Sequence, residues 1–445
     1  MRFCFRLGAS KVPHSRNSDS LPRRVHFSKL RAIAMNNSPR FKLFVMMVLQ
    51  FFIWGAWLPP IFGYMPAIGF TGTQQALIGS AFAIASVVGI FFSNQFADRN
   101  FAAEKFLAFS HLIGGLAILG LFFVKDFPMF FALMLIHSLF YVPTISVTNS
   151  LAFANLKNPQ KEFGLIRMGG TIGWIAAQWP LYFILGGLQG DEAIRTTRWV
   201  FVISAIASFL LAGFSLTLPH TPPKPIQSGT DKLAWLKVAK LLRYPFLLVL
   251  FIVTFIDATI HNGYFVLIFN FLAKIGIEPK WITPITSIGQ IAEIVTMAVL
   301  GAALARLGWK ITMIIGILGH AARFAVFAFF PDNHAVIIGV QVLHGICYAF
   351  FFATLYIFID AAFPKDVRTS AQGLFNLLVL GIGDLTAKWL FIPLTEKYTV
   401  NGVTDFKSLF LIPTGLALLG AIILAVAFWP PKSISEHGGS APAAH

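Results

Sequence analysis

The stretch "LPHTPPKPIQSGTDKLAWLKVAKLLRYP", residues 218–245, divides the chain in two. It is the longest polar connection in the sequence and is rich in Pro and Lys. On both sides of it run apolar segments of roughly 20 residues, the length an α-helix needs to cross a bilayer. Six precede it, at about 41–62, 74–97, 104–123, 127–149, 164–187 and 198–217. Six follow, at about 246–272, 282–304, 309–330, 334–360, 367–393 and 408–429. Two sets of six apolar spans joined by a basic linker are the layout of two membrane-embedded halves.

Composition agrees with this reading. The chain is 57% hydrophobic and 12% charged, whereas soluble domains sit near 45–50% and about 25%. The short alternating segments of a membrane β-barrel are absent, so the expected class is an all-α membrane protein with twelve transmembrane helices. The net charge of +16 fits basic cytoplasmic loops and a lipid surface rather than a nucleic-acid partner. Cys4 lies in a tail and Cys347 in an apolar run, so no disulfide framework is expected.

Residues 1–34 stand apart, with eight Lys and Arg against Asp19. They read as a disordered basic extension, or as a start-site artefact ahead of Met35. The expected organisation is then a half over 35–217, a cytoplasmic linker over 218–245, a second half over 246–430 and a cytoplasmic tail over 431–445. Lys and Arg concentrate in alternate loops, among them Arg99 and Lys105, Lys157 and Lys161, Arg306 and Lys310, and the linker. By the positive-inside rule both termini are expected in the cytoplasm, with the protein in the cytoplasmic membrane.

Chemistry in such a chain must lie in its intramembrane polar residues. Span 5 places Arg167, Thr171, Trp174 and Gln178 on one helical stripe. A guanidinium, a hydroxyl and an indole on one face suit a nucleoside, with the indole available to stack on a base. Span 7 reads "FIDATIHNGYFVLIFNFL", with Asp257, His261 and Asn262 on adjoining positions. In span 8, "TSIGQIAEIVTM", Gln290 and Glu293 are three residues apart and share a face. A carboxylate in a low-dielectric site holds its proton more tightly than one in water, which suits proton coupling. Asp360 and Asp384 are further coupling candidates, although Asp384 and Lys388 are four apart and can pair. Walker, His-Glu-x-x-His and nucleophile–base patterns are all missing from the sequence, so an enzyme is not expected and neither is a cofactor. The proton gradient is the expected energy source.

Several segments, in order, resemble the nucleoside:proton symporter family of the major facilitator superfamily. They are "LQFFIWGAWLPPIFGYM", "YVPTISVTNSLAF", "LIRMGGTIGWI", "LTLPHTPP", "SIGQIAEI", "RFAVFAF", "RTSAQGLF" and "YTVNGVTDF". The resemblance covers the chain from about Met35 to span 12 and implies the major facilitator fold. It assigns substrate contact to Arg167, Thr171 and Trp174, where the family member compared has Phe at the third position. It gives the same role to Gln290 and Glu293, and to Tyr348 of span 10. A gapless comparison puts Asn262 and Phe265 at the family's Gln and Asn of span 7; a slip of one residue puts His261 at the first. "FADRNFAAEK" resembles the short Asp-Arg loops of the superfamily, so Asp98 and Arg99 are expected to latch neighbouring helices. A degenerate copy, "LARLGWK", follows span 8. The function these features imply is import of nucleosides with protons by alternating access, by a protein expected to be a monomer. Rival readings are a permease of the same fold for sugars or other small polar solutes, and a membrane sensor that transports nothing.

Overall fold

The computed structural model describes residues 39–89, 100–223, 242–363 and 368–430. The basic extension, the Asp98–Arg99 latch, most of the central linker and the C-terminal tail lie outside these residues.

The helices are α1 (Pro39–Ala67), α2 (Gly72–Val88), α3 (Ala103–Gly120), α4 (Phe127–Asn155) and α5 (Pro159–Ala177, continued by Pro180–Leu185). They continue with α6 (Gly190–Thr196 and Trp199–Ser215) and α7 (Pro245–Lys274). The run Pro279–Phe329 holds α8 and α9; α10 is His334–Ala362; α11 runs from Arg368–Asn376 through Gly383–Lys397; α12 is Phe406–Ala427. Among the described residues, nine helices are long and apolar enough to cross a membrane. One of them, the 51-residue run, would be about 77 Å long at 1.5 Å per residue, more than twice a bilayer core of about 30 Å. It turns back at Gly308, whose φ of 70° and ψ of 178° are open to a residue without Cβ. Counting it twice, and adding the shorter α2 and the interrupted α5, gives twelve spans.

Local chemistry sets the ends of these spans. Thr71 and Gln74 form a capping box at the start of α2, with Thr71 Oγ1 accepting from the Gln74 amide at 3.3 Å and Gln74 Oε1 from the Thr71 amide at 2.9 Å. Asp126 and Asp405 cap α4 and α12. A two-stranded hairpin, β1 (Thr399–Val400) with β2 (Val403–Thr404), turns at Asn401–Gly402 and aims α12 back through the membrane.

The helices pack as two bundles of six. In the first, α1 lies on α5 and α6, and α3 on α4 and α6; in the second, α7 lies on α11 and α12, and α9 with α8 on α10 and α12. The bundles meet along α1 with α7, α2 with α11, and α5 with α8. Advancing each label by six maps this set of contacts onto itself, which is the signature of a repeated half.

The hydrogen bonds between the halves gather toward the end away from the chain termini. The Asn270 amide donates to the Phe62 carbonyl at 2.7 Å, Thr283 Oγ1 to the Gln178 carbonyl at 2.8 Å, and the Gly72 amide to Glu396 at 2.7 Å. Trp389 Nε1 donates to Ser80 Oγ at 3.1 Å, closer to the middle.

Candidate functional site

On α8, Ile291, Val295 and Val299 are exposed along the outer, lipid-facing side. Gln290 is buried and Glu293 half-buried on the other side. Gly345 of α10 is what presses that side inward. A Cβ there would overlap the backbone of Ala292 and Glu293, so α10 can reach α8 only through glycine. The Gln290 side-chain oxygen has no hydrogen-bond partner among the described residues. A buried amide oxygen so placed is available to a polar ligand.

Opposite stands α5. Arg167, Thr171 and Trp174 are half-buried. The Arg167 guanidinium lies 4.1 Å from the centre of the Phe51 ring, a contact that keeps it from folding away toward the membrane surface. Its charge is within Coulombic reach of Glu293 and Tyr348, both in the other half. Trp174 stands edge-on to Trp54 at 5.3 Å and to Phe265 of α7 at 5.9 Å. Trp54 in turn stacks on Phe82 at 4.7 Å. Two cationic or polar groups and an aromatic wall therefore face one another across the seam between the halves. Gln178, the fourth residue of the stripe, is a strut: its amide donates to the Gly55 carbonyl at 2.9 Å, and its own carbonyl accepts from Thr283.

The other expected residues divide. Tyr348 is half-buried at the start of a π-helical stretch, Tyr348–Ala353, with its ring 6.0 Å from His261. His261 stacks on His344 at 4.9 Å. Asn262 is tied elsewhere: its amide donates to Ala258 at 2.9 Å and to the Val379 carbonyl of α11 at 3.0 Å. Asp257 is buried inside the second half, away from the seam, near His320 and Arg323. Asp384 pairs with Lys388 one turn on, and Lys388 packs against Gly79 of α2. Asp360 is exposed near the end of α10. The reading of the sequence did not single out Phe51, Trp54 or His320. His320 sits three residues before Arg323, and that helical spacing was the signal available.

The Nucleoside H+ symporter family profile matches residues 36–433. YegT of Escherichia coli (strain K12) is 33% identical over 397 residues, covering 86% of this chain and 91% of that one. The xanthosine permease of the same organism is 28% identical over 409 residues, covering 87% and 95%. The crystal structure of the nucleoside transporter NupG superposes with a TM-score of 0.77 at 25% identity, covering 88% of this chain and 100% of that one. A D-xylose–proton symporter shares the fold alone, with a TM-score of 0.70 at 14% identity.

Proposed function

The chain belongs to the nucleoside H+ symporter family, multi-pass membrane carriers of the major facilitator fold, and on that premise we propose how its residues move a nucleoside with a proton. The nucleoside lies in the seam between α5 and α8. Arg167 and Thr171 bond the oxygens of the sugar or base, and Trp174 offers its face to the base. Gln290 uses its free oxygen and its amide on the opposite edge, since one carboxamide both accepts and donates. Glu293 holds sugar hydroxyls, and Tyr348 and His261 close the site from α10 and α7. The observation that carries this reading is the buried Gln290 side-chain oxygen, which has no hydrogen-bond partner among the described residues. A substrate gripped by both halves senses their relative motion, which is the requirement of alternating access.

The orientation follows from loop charge. Both termini lie in the cytoplasm of a cell whose cytoplasmic membrane holds the protein, and the end sealed by Glu396 and Asn270 faces outward. The monomer is the transporting unit. The test is uptake of labelled uridine by intact cells expressing the chain, with and without a protonophore. Uridine is expected to accumulate only while the gradient stands. Accumulation that survives its collapse removes proton coupling, and absence of nucleoside uptake with uptake of a sugar instead removes the nucleoside.

A further inference from the structure

The second half buries a group of ionisable side chains, of which the proposed substrate site uses only His261. Arg323 of α9 is wholly buried. One guanidinium nitrogen is 2.7 Å from His344 Nδ1 and another is 3.1 Å from His320 Nδ1, while the group lies 4.1 Å over the Tyr264 ring. Arginine keeps its protons, so both imidazole Nδ1 atoms accept, and each neutral ring carries its hydrogen on Nε2. His320 Nε2 is 3.7 Å from Asp257 Oδ1 of α7. That is beyond a hydrogen bond, and among the described residues neither Asp257 oxygen has one, although Asp257 is 1% exposed. His261, one turn along α7, is 5.7 Å from His320, stacks on His344 and reaches toward Tyr348. The Nδ1 atom of His261 is also without a hydrogen-bond partner among the described residues.

The remaining groups around Asp257 do not titrate it away. Cys347 of α10 and Tyr264 of α7 complete the charged and titratable lining. On α11, Asp384 and Lys388 hold each other, and Lys407 at the start of α12 lies over Phe329. Arg323 and Asp257 are within Coulombic reach. A purely structural ion pair gains most by closing to a bidentate contact. Here the carboxylate is held off its cation, with its acceptor capacity open, beside imidazoles that lead to the substrate seam.

We propose that Asp257 is the proton-carrying group of the transport cycle, with Arg323 as its fixed counter-charge, His320 as the Nε2–H group beside it and His261 as the station between it and the seam. This rests on the reading of the chain as a proton-coupled carrier. The proton enters from water on the loading side, passes by way of His261, whose Nδ1 is open to take it up, and forms an O–H bond with an Asp257 oxygen. On the other side that bond breaks, the proton returns to water and the carboxylate is restored. No electrons change hands. Ionised, Asp257 cancels the charge of Arg323; protonated, it leaves that charge unbalanced and loosens α7 from α9. Protonation is thereby tied to how the helices of this half pack.

The test uses purified protein in liposomes and labelled uridine, with a pH-sensitive dye inside. Wild type is expected to show both counterflow and gradient-driven accumulation with internal acidification. Asp257→Asn is expected to keep counterflow, to lose accumulation above equilibrium and to lose nucleoside-dependent acidification. Accumulation and acidification at wild-type levels in Asp257→Asn overturn the proposal. Should that variant not fold, Asp257→Asn with Arg323→Gln removes both charges together and takes its place with the same expected result. Failure of the double variant to fold assigns the pair to stability and also overturns the proposal. Wild type that ignores uridine counts against the functional reading itself, whereas a gradient-driven wild type with an equally gradient-driven Asp257→Asn counts against this inference alone.

Discussion

Arg167 and Glu293 belong to different halves, so their mutual attraction exists only while the halves are close on that side. In the proposed site, a nucleoside between them would replace a direct attraction with two ligand bonds, one to each half. This makes the two residues differ from Asn262, whose side-chain amide donates to backbone carbonyls and gains nothing from substrate. Truncation should therefore separate the groups. Arg167→Ala or Gln290→Ala is expected to weaken nucleoside binding about ten- to a hundredfold, the equivalent of a lost hydrogen bond of about 1.5–3 kcal/mol. Glu293→Gln keeps the size and some bonding of the side chain, so a smaller loss of affinity is expected. With proton coupling residing at Asp257, the remaining uptake of Glu293→Gln should stay gradient-driven. Calorimetric titration of uridine into the purified variants reads the first effect, and protonophore sensitivity reads the second. Unchanged affinity in both truncations would place the substrate elsewhere.

At the scale of the helix, α10 shows what the sequence could and could not display. Its length and apolar character were plain, and most span limits fall within a few residues of those expected; the span expected at 246–272 is Pro245–Lys274. The span expected at 164–187 is interrupted at Pro180, because proline there cannot supply the helix with a donor. The π-helical stretches Tyr348–Ala353 and Leu377–Ile382 were not legible. A π-turn arises from packing and has no periodic signal. Its consequence is local but specific: slipping the helical ladder frees a carbonyl, and Asn262 takes that of Val379. The side chain at a position matched to the family's substrate contacts is thus bound to α11, which no spacing argument predicts. Glycine at 345 was equally silent in the sequence. Gly345→Ala would drive a methyl into the α8 backbone at Glu293, at a cost of about 1–3 kcal/mol for overpacking. The expected outcome is a lower melting temperature in detergent together with weaker uridine binding. Gly339→Ala, six residues before Gly345 and with nothing within 4 Å of where a Cβ would lie, is the control and should change neither. Equal behaviour of the two variants would show that the α8–α10 approach does not position Glu293.

The whole molecule is sealed at one end by contacts that must break if the halves rock. The carboxylate of Glu396 on α11 caps the first amide of α2, where the helix dipole favours negative charge. Glu396 is exposed, so this cap contributes only about 0.3–1 kcal/mol. The Asn270–Phe62 and Thr283–Gln178 bonds are each of the neutral kind worth about 0.5–1.5 kcal/mol. A seal built from a few such weak contacts can be opened by the binding of one substrate, since shifting a two-state balance needs only a differential affinity of a few kcal/mol. A covalent bond at the same place cannot be opened this way. Cysteines placed by Gly72→Cys and Glu396→Cys face each other across α2 and α11, because a Cβ on residue 72 would already touch the Glu396 carboxyl group. Cys347 is buried and should not compete, and Cys4, the other native cysteine, is replaced by Ser in these variants. Oxidation or a short bifunctional reagent is expected to arrest uridine uptake in this double variant, and reduction of the disulfide is expected to restore it. The single-cysteine variants should transport with or without oxidant. Uridine uptake at an undiminished rate by the fully cross-linked protein would mean that α2 and α11 stay together throughout the cycle, and that access alternates by some motion other than the parting of the two halves.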